Sequence, residues 1–436
     1  MHIVMMSNTY KPFVGGVERS IDTFTEELQA RGHRVLIVAP KFEGAAKSEG
    51  NIIRIPAIQQ FNGTDFSVPL PVPGILSEVL DRFKPDIIHS HHPYLIGDTA
   101  LRVGARRGVP VVFTFHTFYE RYTHYVPGDS PAIKRFVVAL ATGYANLCER
   151  VVAPSPSVAK ELKHRGIATP IEVVPTGIDV RMFSAGDGHR FRKRWGIPEK
   201  AFLVGTVSRL APEKNIAFLT EALGRWLAQK PAGYVVVVGD GPSRAEAVQT
   251  FMQHGVAERI ILSGTLGGED LVDAYAALDT FAFASETETQ GLVLAEALAA
   301  GVPVVAVDAP AVSDVTGRKH ASLVEAGDPE GFVRALNQAA LRSPAEKGEF
   351  AEYARERALQ YEKGFTAECL LEVYQTASVK GRETQEQKGR HAWESAKRLI
   401  RAELEIIHNM AAATSEALET NSRRKKDAGA SYGGGG

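Results

Sequence analysis

The sequence predicts an α/β protein of two doubly wound domains facing a central cleft, followed by a helical tail. Three observations carry this. Short apolar runs of strand length alternate with helical stretches along most of the chain. The alternation breaks at Pro175-Thr176-Gly177-Ile178-Asp179 and then starts again. Glycine turns recur where a strand hands over to a helix. Parallel strands with covering helices bind ligands at the carboxyl ends of the strands, so the cleft is the expected site. The expected boundaries are 1–178 for the first domain and 179–364 for the second. Residues 365–379 form a helix crossing back, and 380–436 a linker, an amphipathic helix and a disordered tail.

In order, Ile3-Val4-Met5-Met6 is a strand apolar on both faces, as a strand covered from both sides requires. Gly15-Gly16 opens an amphipathic helix to about Ala30, and Gly32 caps it. Val35-Leu36-Ile37-Val38 is the next strand. Asp86-Ile87-Ile88-His89 and Val111-Val112-Phe113-Thr114 follow, separated by a helical stretch. Val151-Val152-Ala153 and Glu172-Val173-Val174 close this half.

The second half begins with the strand Leu203-Val204-Gly205-Thr206-Val207 and a helix from about Ile216 to Gln229. The strand Tyr234–Val238 leads into Gly239-Asp240-Gly241-Pro242. Ile260-Ile261-Leu262, Thr280-Phe281-Ala282-Phe283 and Val304-Val305-Ala306-Val307 supply more strands. A helix over 365–378 reads as the crossover. Farther on, Trp393, Ala396, Ile400, Leu404 and Ile407 recur at helical spacing, with Lys397, Arg398 and Arg401 nearby. Arg423-Arg424-Lys425-Lys426 and the terminal glycines read as disordered.

Composition narrows the function. With 44% hydrophobic and 23% charged residues and a net charge of −1, nothing draws the whole chain to nucleic acid. Two cysteines far apart, without metal spacing, fit a reducing cytoplasm. No basic-then-apolar leader opens the chain. No apolar run reaches the roughly 18 residues of a membrane span.

The chemistry concentrates in Glu286-Thr-Glu288-Thr289-Gln290-Gly291-Leu292-Val-Leu-Ala-Glu296. A turn at Gln290-Gly291 opens a helix, whose free N–H groups and positive end suit an anion. Glu288 lies just before that helix and Glu296 about two turns into it. One carboxylate can reach sugar hydroxyls and the other a ribose, with a phosphate between them. A solvated helix start with a capping carboxylate would carry the same pair. Arg209 and Lys214, in Ser208-Arg-Leu-Ala-Pro-Glu213-Lys-Asn215, offer cations for a diphosphate leaving group, and Glu213 could instead pair with them on the surface.

Together and in this order, the Gly15-Gly16 turn, the Arg209–Lys214 segment, Gly239-Asp240-Gly241-Pro242 and the glutamate pair resemble the retaining glycosyltransferases of family 4. The resemblance covers residues 1–378 and implies the GT-B fold of two Rossmann-like domains. It implies that Glu288 holds donor-sugar hydroxyls, Glu296 the ribose, and Arg209 and Lys214 the diphosphate. Gly15 and Gly16 would approach the phosphates, with Gly239 in a second glycine turn. Thr289, Gln290, Gly291 and Leu292 would offer backbone contacts, and Gly264 and Leu266 would cradle the base. His116 would lie near the anomeric carbon.

His116-Thr-Phe-Tyr119-Glu-Arg-Tyr122-Thr-His124-Tyr125 is similar to the diacylglycerol glucosyltransferases, as are Pro85–Pro93 and Ser155–Ile167. Tyr119, Tyr122, His124 and Tyr125 are then acceptor-side residues, although they can equally pack a loop. The expected reaction transfers glucose from UDP-glucose to diacylglycerol, with peripheral contact at the inner face of the cell membrane. Alternatives are another acceptor (phosphatidylinositol, a polysaccharide or a small metabolite) or a non-catalytic nucleotide-sugar-binding module. No Asp-x-Asp metal signature accompanies the motifs, so no essential metal or other cofactor is expected. Arg102, Arg106 and Arg107, with Lys134-Arg135 before an apolar helical run, are the candidate membrane-facing cations.

Overall fold

The computed structural model describes residues 1–13, 15–42, 50–58, 68–69, 73–123, 130–318, 321–383 and 391–430. The chain forms two compact units, Met1–Val174 with Ala367–Gly436, and Pro175–Thr366.

The first unit contains β1 (His2–Met6), β2 (Arg34–Pro40), β3 (Ile52–Ile55), β4 (Ala57–Ile58), β5 (Val68–Pro69), β6 (Ile87–Ser90), β7 (Val111–Thr114), β8 (Arg150–Ala153) and β9 (Ile171–Val173). Its helices are α1 (Gly16–Ala30), α2 (Pro73–Phe83), α3 (Ile96–Arg107), α4 (Pro131–Leu147) and α5 (Pro156–His164). The main sheet is parallel in the order β3-β2-β1-β6-β7-β8-β9, while β4 and β5 form a separate antiparallel pair. The order reverses between β1 and β6, which opens a crevice beyond the carboxyl ends of these strands. Alternation along β1 divides the core. Val4 and Met6 pack with Leu36, Val38 and Ile88 on one face. Ile3 and Met5 pack with Val35, Ile37 and Ile87 on the other.

The second unit contains β10 (Phe202–Val207), β11 (Gly233–Val238), β12 (Ile260–Gly264), β13 (Thr280–Phe283), β14 (Val304–Val307) and β15 (Ser322–Val324). Its helices are α6 (Val180–Ser184), α7 (Gly188–Arg194), α8 (Ile216–Gln229), α9 (Arg244–Gln253), α10 (Gly268–Ala276), α11 (Leu292–Ala299), α12 (Pro310–Thr316), α13 (Pro329–Leu341) and α14 (Pro344–Ala358). This sheet is also parallel, in the order β12-β11-β10-β13-β14-β15, and reverses at β10. Residues 175–178 belong to this unit because its interior holds them. The Gln290 amide bridges Thr176 N–H and C=O, both at 2.8 Å, and Ile178 N–H donates to Tyr361 C=O at 2.7 Å.

Two helices complete the chain, α15 (Lys363–Glu383) and α16 (His391–Ala430). From Ala367 onward α15 packs in the first unit, where Leu370, Val373, Tyr374 and Ala377 meet Ile3, Ile21 and Phe24. The last helix packs on α3 and α4. Among the side chains described on this helix, Ile406, Ala413 and Ala417 are buried. Arg102 makes a two-pronged contact to Glu403 (2.6 and 3.1 Å), and Asn409 donates to Leu140 C=O at 3.1 Å. One sequence expectation changes here. The helix expected from the spacing of Trp393 to Ile407 runs from His391 to Ala430, through the basic segment read as disordered. The spacing leaves open what the stripe Ile400, Leu404, Ile407 would meet; it faces outward, 58–62% exposed, while the smaller Ala413 and Ala417 allow close packing on another side of the helix.

Candidate functional site

In the second unit the site is built from loops at the carboxyl ends of β10, β11, β12 and β13. The β10 loop turns through Asn215, in the left-handed region at φ 56°, before α8 begins. It is fastened to the β13 loop by several bonds. Glu213 C=O accepts from Thr287 Oγ1 at 3.0 Å and from Ser285 Oγ at 3.4 Å. Asn215 Nδ2 donates to Ala284 C=O at 3.3 Å and to Glu286 at 3.2 Å. This fastening brings Lys214 Nζ to 2.5 Å from Glu288 Oε1, with the two side chains 22% and 15% exposed. The half-buried setting strengthens the pair relative to an exposed one. Lys214 therefore has a partner across the loops in Glu288, 74 residues away in the chain. Arg209, in the same loop, is exposed.

Gly291 turns the chain at φ 82° and precedes α11. Leu292 opens that helix, and it and Thr289 are half-buried. Gln290 is buried, and its side chain holds Thr176. Glu296, in the middle of α11, is fully buried and accepts from Tyr275 Oη at 2.7 Å. Tyr275, on α10, was not identified from the sequence, because no local spacing connects the two residues. Gly239 and Gly264 are cross-bonded, Gly239 N–H to Gly264 C=O at 2.8 Å. A Cβ at Gly239 would lie 1.9 Å from Ser208 C=O, so the β11 turn admits only glycine against the β10 loop. Leu266 packs partly buried on the core of this unit. The buried hydroxyls of Thr206 and Ser208, at the end of β10, have no hydrogen-bond partner.

In the first unit, Gly15 precedes α1 in extended conformation, where a Cβ would meet Glu18. At Gly16 a Cβ would meet nothing within 4 Å, so packing inside this chain does not demand that glycine. His116 follows β7, and its Nε2 lies 2.9 Å from His91 Nδ1, the two rings stacked at 5.1 Å. His91 in turn lies 4.2 Å, ring to ring, from His89. His89 is tied by both nitrogens, to Tyr374 Oη and Thr114 Oγ1, each at 2.6 Å. His92 Nδ1 accepts from Asn8 N–H at 3.1 Å. Burial pushes His89 and His92 down to about 3. Burial and the neighbouring imidazoles lower His91 and His116 as well. The cluster is therefore neutral, and each ring has one donor and one acceptor nitrogen. The His91 Nε2 atom is buried without a partner.

Tyr119 is buried, its hydroxyl unpartnered, and burial raises its phenol well above the ordinary value. Tyr122 is half-buried, and His124 and Tyr125 lie outside the described residues. Among the described residues no three His, Cys, Asp or Glu side chains gather to hold a metal ion. Three of the five cations read as membrane-facing are engaged within the first unit, and Arg106 is exposed. Arg102 is held by Glu403, Arg107 by Asp81 at 2.7 Å, and Arg135 donates to Ala417 C=O at 3.1 Å.

Residues 14–181 match the family described as Glycosyltransferase Family 4, and residues 187–357 match Glycosyl transferases group 1. The alpha-monoglucosyldiacylglycerol synthase of Streptococcus pneumoniae is 28% identical over 350 residues, 79% of each chain. The GDP-mannose-dependent alpha-mannosyltransferase of Mycobacterium tuberculosis is 31% identical over 398 residues, 88% of this chain and 98% of that one. Among solved structures, Anabaena HepE in complex with UDP has the same fold, with a TM-score of 0.66 at 20% identity over 86% of this chain and 100% of that one. Likeness that runs through both parallel-sheet units, and through nearly the whole length of the mycobacterial transferase, makes this chain a member of the family 4 glycosyltransferases, a hexosyltransferase of GT-B fold.

Proposed function

We propose that this enzyme is a retaining glycosyltransferase that moves a glucosyl group from UDP-glucose to diacylglycerol at the inner face of the cell membrane. The observation that carries the donor half is the fastening of the β10 and β13 loops, which presents Lys214 and Glu288 as a pair. Donor binding exchanges that pair for substrate contacts. Glu288 accepts from sugar hydroxyls, while Lys214 and Arg209 take the charge of the diphosphate. Glu296, held by Tyr275, accepts from the ribose. The acceptor oxygen bonds to the anomeric carbon as the bond from that carbon to the diphosphate breaks. The acceptor proton passes to a donor phosphate oxygen. The two cations do the work a divalent ion could do, so no metal is required.

Likeness to the pneumococcal synthase supports the diacylglycerol half. In this reading His116, Tyr119 and Tyr122 face the acceptor, with His124 and Tyr125 assigned to the same loop. A second reading, with the same site but GDP-mannose as donor and another acceptor, is favoured by the longer match to the GDP-mannose-dependent mannosyltransferase. Labelled UDP-glucose and GDP-mannose, each offered with diacylglycerol vesicles and with soluble acceptors, separate the readings. An α-glucosyl lipid from UDP-glucose is expected. Product from GDP-mannose alone would replace the donor, and transfer only to soluble acceptors would reject the lipid. Turnover should survive excess chelator. Loss restored by magnesium would remove the metal-free mechanism.

A further inference from the structure

Docking of α16 leaves one apolar face of that helix uncovered. Ile400, Leu404, Ile407 and Met410 are 58%, 62%, 59% and 49% exposed. Steps of four, three and three residues align them on one side of the helix. Lys397, Arg401 and His408 follow steps of four and seven, so they form a basic row along the edge of that face. The acids nearby are engaged, Glu403 by Arg102 at 2.6 Å and Glu405 by Arg401 at 2.9 Å. The same helix carries Arg423-Arg424-Lys425-Lys426 near its end. Meanwhile α3 and α4, whose cations the sequence offered to a membrane, lie against α16.

We propose that the outer face of α16 is an interfacial contact for an anionic lipid bilayer. The helix lies in the plane of the surface, with Ile400, Leu404, Ile407 and Met410 inserted and the basic residues at the headgroups. This deepens the lipid-acceptor reading and rests on it for its purpose. No helix among the described residues is long and apolar enough to cross a membrane. A second copy fits less well. A coiled-coil seam needs roughly three to four heptads, and the large apolar residues here span fewer than two.

The test uses the full chain, without donor, sedimented with phosphatidylcholine vesicles that contain or lack phosphatidylglycerol. Binding to the anionic vesicles should exceed binding to the neutral ones by about tenfold and weaken with salt. Ile400→Ser/Leu404→Ser/Ile407→Ser should lower it at least about tenfold with the melting temperature unchanged. Lys397→Glu/Arg401→Glu should remove the anionic preference while leaving the apolar face intact. Absence of wild-type binding, or equal binding by the triple-serine variant, would overturn the proposal. So would a wild-type dimer that the triple-serine variant dissolves, because a second copy would then cover the face. Transfer to diacylglycerol dispersed in detergent is measured separately. Product there without vesicle binding rejects the role of α16 and keeps the acceptor, and vesicle binding without product rejects the acceptor and keeps the surface.

Discussion

Lys214 and Glu288 are 74 residues apart in the chain and meet at 2.5 Å. Each removes the other's need for water in a half-buried place, so the two substitutions should differ. Glu288→Gln keeps a hydrogen-bond acceptor for Lys214 but loses the charge. It should lower kcat/KM by about 10²–10³ with little change in melting temperature. Lys214→Met leaves the carboxylate without that cation and should also cost about 1–3 kcal/mol of stability, read by urea unfolding. Equal stability of the two variants would show that the pair does not hold the loops together. His91 calls for a different readout, because its nitrogen contacts His116 and not the substrate in this reading. His91→Ala should lower kcat about tenfold and leave the donor KM unchanged, with partial recovery in His91→Asn. Nitrogen NMR of His116 should show its tautomer becoming mixed in His91→Ala, and a retained single tautomer would reject this positioning role. The motif residues were legible because their types and spacing are local. Tyr275 and Asn215 were not, since what they do depends on contacts reaching 21 and 71 residues along the chain.

Among the elements, the loop after β11 tolerates the least change. Gly239 sits at φ 130° with its missing Cβ against Ser208 C=O, so Gly239→Ala must push the β10 loop away. It should destabilise the second unit by about 1–3 kcal/mol and weaken donor binding, measured by calorimetric titration with UDP. An unchanged affinity would uncouple this turn from the site. Gly16 behaves oppositely, and Gly16→Ala should leave stability nearly untouched, since its Cβ meets no protein atom. The last helix shows where periodicity stops being decisive. Two stripes both recur at helical spacing, one with Ile400, Leu404 and Ile407, the other with Ile406, Ala413 and Ala417. Bulk favours the first as the buried one. Close approach favours the second, because Asn409 occupies the space where a side chain at Gly143 would stand. Packing of that kind is invisible in one helix read alone.

Across the whole molecule, the buried neutral histidines give the first unit an acid sensitivity that begins near neutral pH. His89 and His92 titrate near 3 when folded and near 6.5 when unfolded. Below about 6.5 the unfolded chain binds protons the folded one does not, so stability falls with pH. Each histidine contributes about 1.4 kcal/mol per pH unit until its folded value is reached. His91 and His116 act in the same direction. Among the described residues of the second unit, Asp179 and Asp273 are lowered carboxylates, whose contribution is lost only below their ordinary value of 3.8. Hydrogen exchange at pH 5 against pH 7.5 should therefore show faster global opening of residues 1–174 and little change in 175–366. The opposite order would contradict the neutral state of the cluster.

Both parallel sheets, their order of appearance and the donor motifs were readable in the chain, because strand and helix periods are properties of neighbouring residues. Packing chose the partner of each charge and the buried face of α16. It gave Glu288 to Lys214 and Arg102 to Glu403, and it closed Tyr275 onto Glu296. These choices join residues distant in sequence, and their energies depend on burial and close approach, which exist only once the chain is folded.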